Sequence, residues 1–246
     1  MLLNHTSGVR DCCGDGFDDI GYANTQRIWT VADYIARANT QQWTSTPGAA
    51  WSYSNTNDVL LGEVLTRATG QPWRQVVTER VFKRAGLVQS ELPAVGNSRC
   101  LDRARGYQLL GGRLTDVTEL DPSVADAAGG HAWITTPADL TRLMRALFDG
   151  RLFDRPTTFV QMLAFTAAAV PEELRTGYGL GIMRLEREGK AHLGHFGGTA
   201  GFLNFMLYQP ATGVAMSGYT STQGDVSALL IPLMDAVARI ARQAAL

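Results

Sequence analysis

The spacing of apolar residues predicts helices up to about residue 150 and strands after residue 177. The predicted helices begin near Val31, near Thr56, at Pro72 and near Ala127, and the last three end at Gly70, Gly86 and Gly150. The predicted strands are 179–185, 191–195, 202–208 and 214–219, and a final helix runs from about Val226 to Ala244. Pro232 should bend or interrupt that final helix, since proline removes a backbone donor.

Two of the predicted helices have clear capping signals at their N-termini. Thr30 is a suitable N-cap residue, and Asp33 stands at the position that completes a capping box. Thr136 is the corresponding cap of the helix that ends at Gly150, with Pro137 in its first turn and Asp139 three residues after the cap.

The segments between these helices are predicted as loops. Residues 1–30 contain frequent Gly and Asp and show no apolar period, and residues 88–125 are irregular apart from short strands around 106–114. The polar stretch 39–57 should be a loop that presents Tyr53 and Asn55.

The order of elements is helices, an antiparallel meander and a terminal helix, which is typical of an α+β fold. We predict one domain over 1–246, with a mainly helical region at 31–150 and the antiparallel sheet plus C-terminal helix at 177–246.

Composition and charge exclude some classes of function. The chain is 45% hydrophobic and 18% charged, the balance of a globular protein, and its formal net charge of -1 gives no reason to expect nucleic acid as a partner. No apolar run is long enough to span a bilayer, and the N-terminus has no signal-peptide pattern. Cys12, Cys13 and Cys100 form an odd set with one adjacent pair, so we predict unpaired thiols.

Tyr53 and His195 are the candidate proton carriers. A tyrosine hydroxyl serves in that role when a nearby positive charge lowers its pKa from about 10, and a histidine supplies that charge or relays the proton. Asn55 offers a donor and an acceptor to a substrate amide. Gly197 and Gly198 leave the backbone unscreened, so that an N–H group there can approach a carbonyl oxygen. Alternatively, the Tyr-Ser-Asn tripeptide only caps the helix after it.

The sequence does not predict a metal site or a cofactor. His192 and His195 are three residues apart on a predicted strand, so their side chains should point to opposite faces. The acidic stretch 11–19 has a faint likeness to a calcium loop, but Cys13 and Tyr22 stand where ligands are required. A solvated acidic loop is the favoured interpretation.

Five blocks occur in the order in which they are found in the penicillin-recognising serine hydrolases, which include class C β-lactamases, D-Ala-D-Ala carboxypeptidases and related esterases. They are Leu2–Gly8 (LLNHTSG), Pro47–Asn55 (PGAAWSYSN), Ala127–Gly130 with the helix after it, Gly177–Gly181 (GYGLG) and Gly194–Phe202 (GHFGGTAGF). The second block resembles the Tyr-x-Asn motif of that family, and the last resembles the His-x-Gly form of its third motif. The resemblance covers essentially the whole chain and implies the β-lactamase/transpeptidase-like fold.

The resemblance also implies roles for individual residues. Tyr53 would deprotonate the nucleophile and pass the proton to the leaving group, and Asn55 would bind the acyl-side amide of the substrate. His195 would replace the usual lysine and tune Tyr53, and the N–H of Gly198 would form half of the oxyanion hole. Arg184 is a weaker candidate for binding a substrate carboxylate, with an exposed strand residue as the alternative. The implied partner is a small-molecule or peptidyl substrate with an amide or ester.

The chain departs from the family pattern at the nucleophile. Its two lysines, Lys83 and Lys190, are preceded three residues earlier by Arg80 and Arg187, so no Ser-x-x-Lys motif occurs. We therefore expect an N-terminally truncated form of the fold, with an unpaired sheet edge and no acyl turnover by this chain alone.

The implied activity is a serine hydrolase of the D-Ala-D-Ala carboxypeptidase or β-lactamase type. An esterase of the same family, or a non-catalytic relative that binds a ligand or partner, are the alternatives. The resemblance suggests an exported bacterial protein.

Overall fold

A computed structural model describes residues 1–14, 16–22, 24, 26–40, 42–96, 103–126, 133–167, 175–187, 189–222 and 226–244. The helices are α1 (Phe17–Gly21), α2 (Val31–Asn39), α3 (Asn55–Thr69), α4 (Trp73–Val77), α5 (Lys83–Ala85), α6 (Ser123–Asp126), α7 (Pro137–Phe148), α8 (Pro156–Met162) and α9 (Val226–Ala244). A π-helical stretch, Thr78–Phe82, joins α4 to α5. The strands are β1 (Tyr107–Leu110), β2 (Arg113–Asp116), β3 (Arg175–Tyr178), β4 (Met183–Arg187), β5 (Lys190–Thr199), β6 (Phe202–Gln209) and β7 (Val214–Thr220).

The larger sheet is an antiparallel meander in the order β3-β4-β5-β6-β7, and β1 and β2 form a separate hairpin. Inward residues of β6 alternate strictly with outward ones, as a half-buried strand requires. Helix α9 packs its apolar residues on one face of the sheet, where Phe205, Leu207 and Leu230 are fully buried. On β7, the Ser217 hydroxyl donates to the carbonyl oxygen of Pro137 at 2.6 Å, which ties the sheet to α7. The α+β prediction is confirmed.

The capping predictions are also confirmed. Thr30 and Asp33 form the complete capping box of α2, and the Thr136 side chain accepts a hydrogen bond from the N–H of Asp139. Gly70 and Gly86 end their helices in the left-handed conformation, and the polar loop before α3 ends at Ser54.

Several predicted boundaries are wrong. Residues 179–185 are not one strand, because 179–182 form the turn between β3 and β4, in which the Gly179 N–H donates to the Ile182 carbonyl at 2.8 Å. Gly181 has a φ of 74° there, which suits a turn and not a strand. The helix predicted from Ala127 begins only at Pro137, and residues 127–132 lie outside the described residues.

Three short helices, α1, α6 and α8, are missing from the prediction, and one expected interruption does not occur. Helix α1 lies in the stretch predicted as loop, where it is anchored by the buried ring of Phe17, and α8 packs Phe159 against Phe148 with ring centroids 5.6 Å apart. Helix α9 continues through Pro232. Burial of Leu230 and Met234 against the sheet compensates for the backbone hydrogen bond that proline cannot donate.

The sheet ends at β3 on one side and at β7 on the other in the residues described. Strand β7 pairs along its length with β6. Just after β7, an isolated bridge joins Thr222 to Tyr107 of β1. No helix in the described part of the chain has the length and apolar character needed to cross a membrane.

Candidate active site

Tyr53 is positioned by a second loop that runs beside its own. Backbone hydrogen bonds join residues 5–8 to residues 44–52: Ser52 N–H donates to His5 at 2.9 Å, and Gly48 N–H donates to Thr6 at 2.7 Å. At Gly8, which has a φ of 76°, a Cβ atom would lie 2.1 Å from the carbonyl oxygen of Ser45. Only glycine permits the two loops to approach this closely.

Four aromatic and imidazole rings meet where this loop reaches the sheet; we call His5, Tyr53, Tyr178 and His195 the four-ring cluster. The ring centroid of Tyr53 lies 4.2 Å from that of His5 and 6.3 Å from that of His195. The structure thus brings together Tyr53 and His195, the two candidate proton carriers that were identified from the sequence.

Hydrogen bonds connect three members of the four-ring cluster. The Tyr178 hydroxyl lies 3.2 Å from His5 Nε2 and 3.0 Å from His195 Nε2. His195 Nδ1 lies 2.7 Å from the carbonyl oxygen of Phe196. His5 and Tyr178 are buried, whereas His195 and Tyr53 are half-buried, so the two predicted site residues are the more accessible pair.

Asn55 begins α3 and is held by Asp11. Its side-chain nitrogen donates to both carboxylate oxygens of Asp11 at 3.1 Å, and its backbone N–H donates to the same carboxylate at 3.0 Å. The carboxylate thus satisfies an N–H group at the positive end of the helix. Because the side-chain nitrogen is engaged by Asp11, Asn55 presents Oδ1, an acceptor, as its remaining polar atom.

The glycines of the His195 block lie on an extension of β5 beyond its neighbour. β4 pairs with β5 only as far as Gly194, whereas β6 pairs with β5 up to Thr199. From His195 to Thr199, β5 is therefore paired with β6 and not with β4. Gly197 and Gly198 lie on this extension, and the role of the Gly198 N–H as an oxyanion donor stays a prediction.

The other two predicted binding residues do not contribute a side-chain contact. Gly197 has no side chain and is paired with Asn204 of β6. Arg184 is exposed on β4, opposite Leu193, and within the described ranges no hydrogen bond joins it to the four-ring cluster. A role for Arg184 in binding a carboxylate stays a prediction.

The sequence analysis disfavoured metal binding both at His192 with His195 and in the stretch 11–19. His192 and His195 have separate partners, because His192 Nε2 lies 3.0 Å from Gln209 Nε2. In the described residues, one group of possible ligand atoms is found, on Asp11, Cys12 and Cys13, within 4.8 Å of one another. The Asp11 carboxylate there already accepts from Asn55 and from the Cys13 backbone N–H.

Cys12 and Cys13 are free thiols, as predicted, with Sγ atoms 3.5 Å apart. The hydrogen bond with Cys13 lowers the pKa of the Cys12 thiol, and the same bond together with burial raises the pKa of Cys13. Cys100 lies outside the described residues.

Asp58 lies one turn into α3 and lines a cavity of about 190 Å³ with Trp29, Tyr34 and Trp73. Burial, together with the nearby charge of Asp11, raises the pKa of Asp58 to about 7. None of the cavity's lining residues belongs to the four-ring cluster.

Sequence reasoning missed the roles of His5, Tyr178 and Asp11 at this site. His5 and Tyr178 stand in the LLNHTSG and GYGLG blocks, which are quoted above only for the resemblance. The sequence signal was therefore present, but no pattern says that these side chains reach Tyr53 and His195. Asp11 precedes Cys12 in a stretch that was interpreted as a solvated loop.

The Beta-lactamase family model matches residues 1–238 of the chain. Penicillin-binding protein 4 of Amycolatopsis lactamdurans is 24% identical over 239 residues, which is 89% of this chain and 58% of that protein. The chain spans between 36% and 58% of the length of three curated relatives.

Solved structures show the same relationship. The D-stereospecific amidohydrolase of a Streptomyces species is 31% identical, with a TM-score of 0.82 over 92% of this chain and 68% of that one. The D-amino acid amidase of Ochrobactrum anthropi is 26% identical, with a TM-score of 0.77 over 91% of this chain and 65% of that one. These matches, with the Tyr53 and His195 blocks in place, show that the chain belongs to the beta-lactamase family of penicillin-recognising serine hydrolases.

Proposed function

We propose that this chain carries the acid–base and oxyanion-binding side of a serine amide hydrolase that acts on D-amino acid amides or short D-amino acid peptides. The observation that carries the proposal is that Tyr53, just before the start of α3, lies beside His195 of β5, the strand that also carries Gly198. Tyr53 would move the proton between the nucleophile and the leaving group, and Gly198 N–H would stabilise the developing oxyanion.

The orientation of Asn55 supports an amide over a simple ester. Because its nitrogen donates to Asp11, Asn55 offers an acceptor, which favours a substrate with an N–H group on the acyl side. The preference for the D configuration is supported by the two neighbours described above, the D-stereospecific amidohydrolase and the D-amino acid amidase. Penicillin-binding protein 4 supports the D-Ala-D-Ala carboxypeptidase type as a related possibility.

No Ser-x-x-Lys motif occurs in the 246 residues, so none of their serines stands in the nucleophile motif of the family. We propose that a segment outside them supplies the serine, the lysine that activates it and the second oxyanion donor. The reaction would then proceed by acyl transfer: the serine attacks the amide carbon, the amine leaves with the proton from Tyr53, and water hydrolyses the ester.

A fusion protein tests this proposal. The segment of the Streptomyces amidohydrolase that carries its nucleophile is joined ahead of Met1, and hydrolysis of D- and L-phenylalaninamide is compared with that of p-nitrophenyl acetate. We expect D-amide hydrolysis and a covalent fluorophosphonate adduct on the added serine, both lost when that serine is replaced by alanine. A folded fusion that forms the adduct and cleaves only the ester would contradict the amide proposal.

The missing motif also favours a second candidate, a non-catalytic relative that binds a ligand in the same cleft. To test for it, the 246-residue chain alone is incubated with a fluorescent penicillin and a fluorophosphonate. Its intact mass is then measured by mass spectrometry to detect a covalent adduct. Saturable, non-covalent binding of a D-amino acid amide, together with a fusion that stays inactive, would favour this second candidate. A stoichiometric adduct on one of the chain's own serines would contradict both.

A further inference from the structure

The hydrogen bonds of the four-ring cluster have a direction that two backbone groups determine. At one end, the Ser54 N–H points to His5 Nδ1 at 3.3 Å. At the other end, the carbonyl oxygen of Phe196 lies 2.7 Å from His195 Nδ1. A backbone N–H can only donate and a carbonyl oxygen can only accept, so neither end has a choice.

The Ser54 N–H determines the protonation state of His5. Its Nδ1 must accept from Ser54, so the ring is neutral and carries its hydrogen on Nε2. Asn57 agrees with this assignment: the Ser7 hydroxyl donates to Asn57 Oδ1 at 2.6 Å, which turns the amide nitrogen toward His5 Nδ1 at 3.0 Å. His5 Nε2–H then donates to the Tyr178 hydroxyl oxygen.

The other end determines which nitrogen of His195 carries hydrogen. Because Nδ1 must donate to the Phe196 carbonyl, the neutral ring has Nδ1–H and leaves Nε2 as an acceptor. The Tyr178 hydroxyl, which accepts from His5, donates its hydrogen to that nitrogen at 3.0 Å. A protonated His195 would instead direct a second N–H at the Tyr178 oxygen and force the hydroxyl hydrogen out of this bond.

We propose that Tyr178, oriented by His5, is a positioning residue that holds His195 in the neutral Nδ1–H tautomer with Nε2 toward the Tyr178 hydroxyl. His195 therefore acts on Tyr53 as a fixed dipole and not as a cation. Of the two roles expected for His195, supplying a positive charge or relaying the proton, this proposal leaves out the first. The catalytic meaning of this arrangement rests on the proposed function, whereas the tautomer is a property of the chain itself.

Nitrogen-15 NMR of histidine-labelled protein measures the tautomer directly, without any enzyme activity. The spectrum is recorded at pH 7.5 on the 246-residue chain and on the fusion protein, and each of the four histidines is assigned by single substitution. We expect His195 to show a protonated Nδ1 and an unprotonated Nε2, and His5 to show the opposite pattern. A cationic His195, or one with its hydrogen on Nε2, would overturn the proposal.

Tyr178→Phe tests whether the hydroxyl is the cause, because it keeps the ring and removes the donor to His195 Nε2 together with the acceptor of the His5 Nε2–H group. We expect the His195 Nε2 signal to shift, because that nitrogen loses its hydrogen-bond donor, while His192 is unchanged. Tyr208→Phe is the matched control on the same sheet, since Tyr208 stacks on Phe148 and does not contact His195 within the described residues. Unchanged His195 signals in a folded Tyr178→Phe variant would refute the positioning role. If that variant does not fold, the wild-type spectrum alone still decides the tautomer.

These outcomes are separate from those of the proposed function. An inactive fusion with the predicted tautomers would contradict the hydrolase and leave the positioning inference intact. An active fusion with a cationic His195 would support the hydrolase and overturn the positioning inference.

Discussion

Two regions of this molecule that meet at Tyr53 are held by opposite kinds of interaction. The sheet β3–β7 and helix α9 share an apolar core around Phe205, Leu207 and Leu230. The N-terminal loop and the start of α3 are held by buried polar side chains, among them His5, Ser7, Thr56 and Asn57. Close packing is enough in the first region, whereas the second requires each buried group to keep its partner. The candidate chemistry lies where the polar region contacts the sheet.

The largest expected loss of stability is in the apolar region. Phe205→Ala removes a fully buried ring from between β6 and α9, and we expect the free energy of unfolding to fall by about 3–5 kcal/mol. Urea denaturation followed by circular dichroism measures it. Tyr219→Ala on the neighbouring strand, which is exposed, is the control and should cost less than about 1 kcal/mol. Similar losses for the two variants would show that the sheet core is not packed as described.

A polar substitution should cost nearly as much in the other region, although it removes far less apolar area. Asn57→Ala removes the acceptor of the Ser7 hydroxyl hydrogen and one of the two donors to His5 Nδ1, and we expect a loss of about 2–3 kcal/mol. Ser54→Ala is the matched control, because the buried Ser54 hydroxyl has no hydrogen-bond partner among the described residues. Its removal should cost little or stabilise the protein. Equal costs for the two would mean that the polar network does not hold this region.

Asp58 should make stability depend on pH in a particular direction. Its folded pKa of about 7 lies above the ordinary value, so between pH 4 and pH 7 the unfolded state ionises while the folded state stays protonated. The contribution of Asp58 to the free energy of unfolding is therefore lost as the pH rises through this range. Asp58→Asn should match wild type near pH 4 and exceed it by about 2 kcal/mol at pH 8. A stability difference that does not grow with pH would exclude this account.

The smallest expected effect separates the two helix starts. Thr30 caps α2 through its side chain, whereas Ser54 stands at the N-cap of α3 without a side-chain cap bond. We expect Thr30→Ala to lower the free energy of unfolding by about 1 kcal/mol, and Ser54→Ala to leave it nearly unchanged. Thermal unfolding of the two variants side by side checks this difference, and a reversed order would contradict the assigned caps.

Local sequence signals predicted much of the fold. Thr30, Thr136, Gly70 and Gly86 mark helix ends through short-range backbone chemistry, so they were identified correctly. The run 179–185 was assigned as strand because a glycine-rich turn between two strands has no period of its own. Helix α1 was not predicted because five residues are too few to show a helical repeat. It depends instead on the packing of Phe17.

The candidate site shows the same difference between local sequence signals and long-range contacts. Tyr53 and His195 stand in short motifs, so the sequence points to both. The bonds from His5 through Tyr178 to His195 join residues that are far apart along the chain, and only tertiary packing brings them together. The fixed orientation of Asn55 likewise depends on Asp11, a residue with no motif of its own. The domain limits, the role of Arg184 and the individual catalytic roles stay predictions.

The most direct test of the central claim is the effect of Tyr53→Phe on D-phenylalaninamide hydrolysis by the fusion protein that carries the added nucleophile. If Tyr53 transfers the proton, kcat should fall by about 10²–10⁴-fold with little change in KM, since only the hydroxyl is lost. Tyr208→Phe, measured beside it, should stay within about twofold of the unmodified fusion, an effect below 0.5 kcal/mol or so. A Tyr53→Phe fusion that keeps the full kcat would contradict the account.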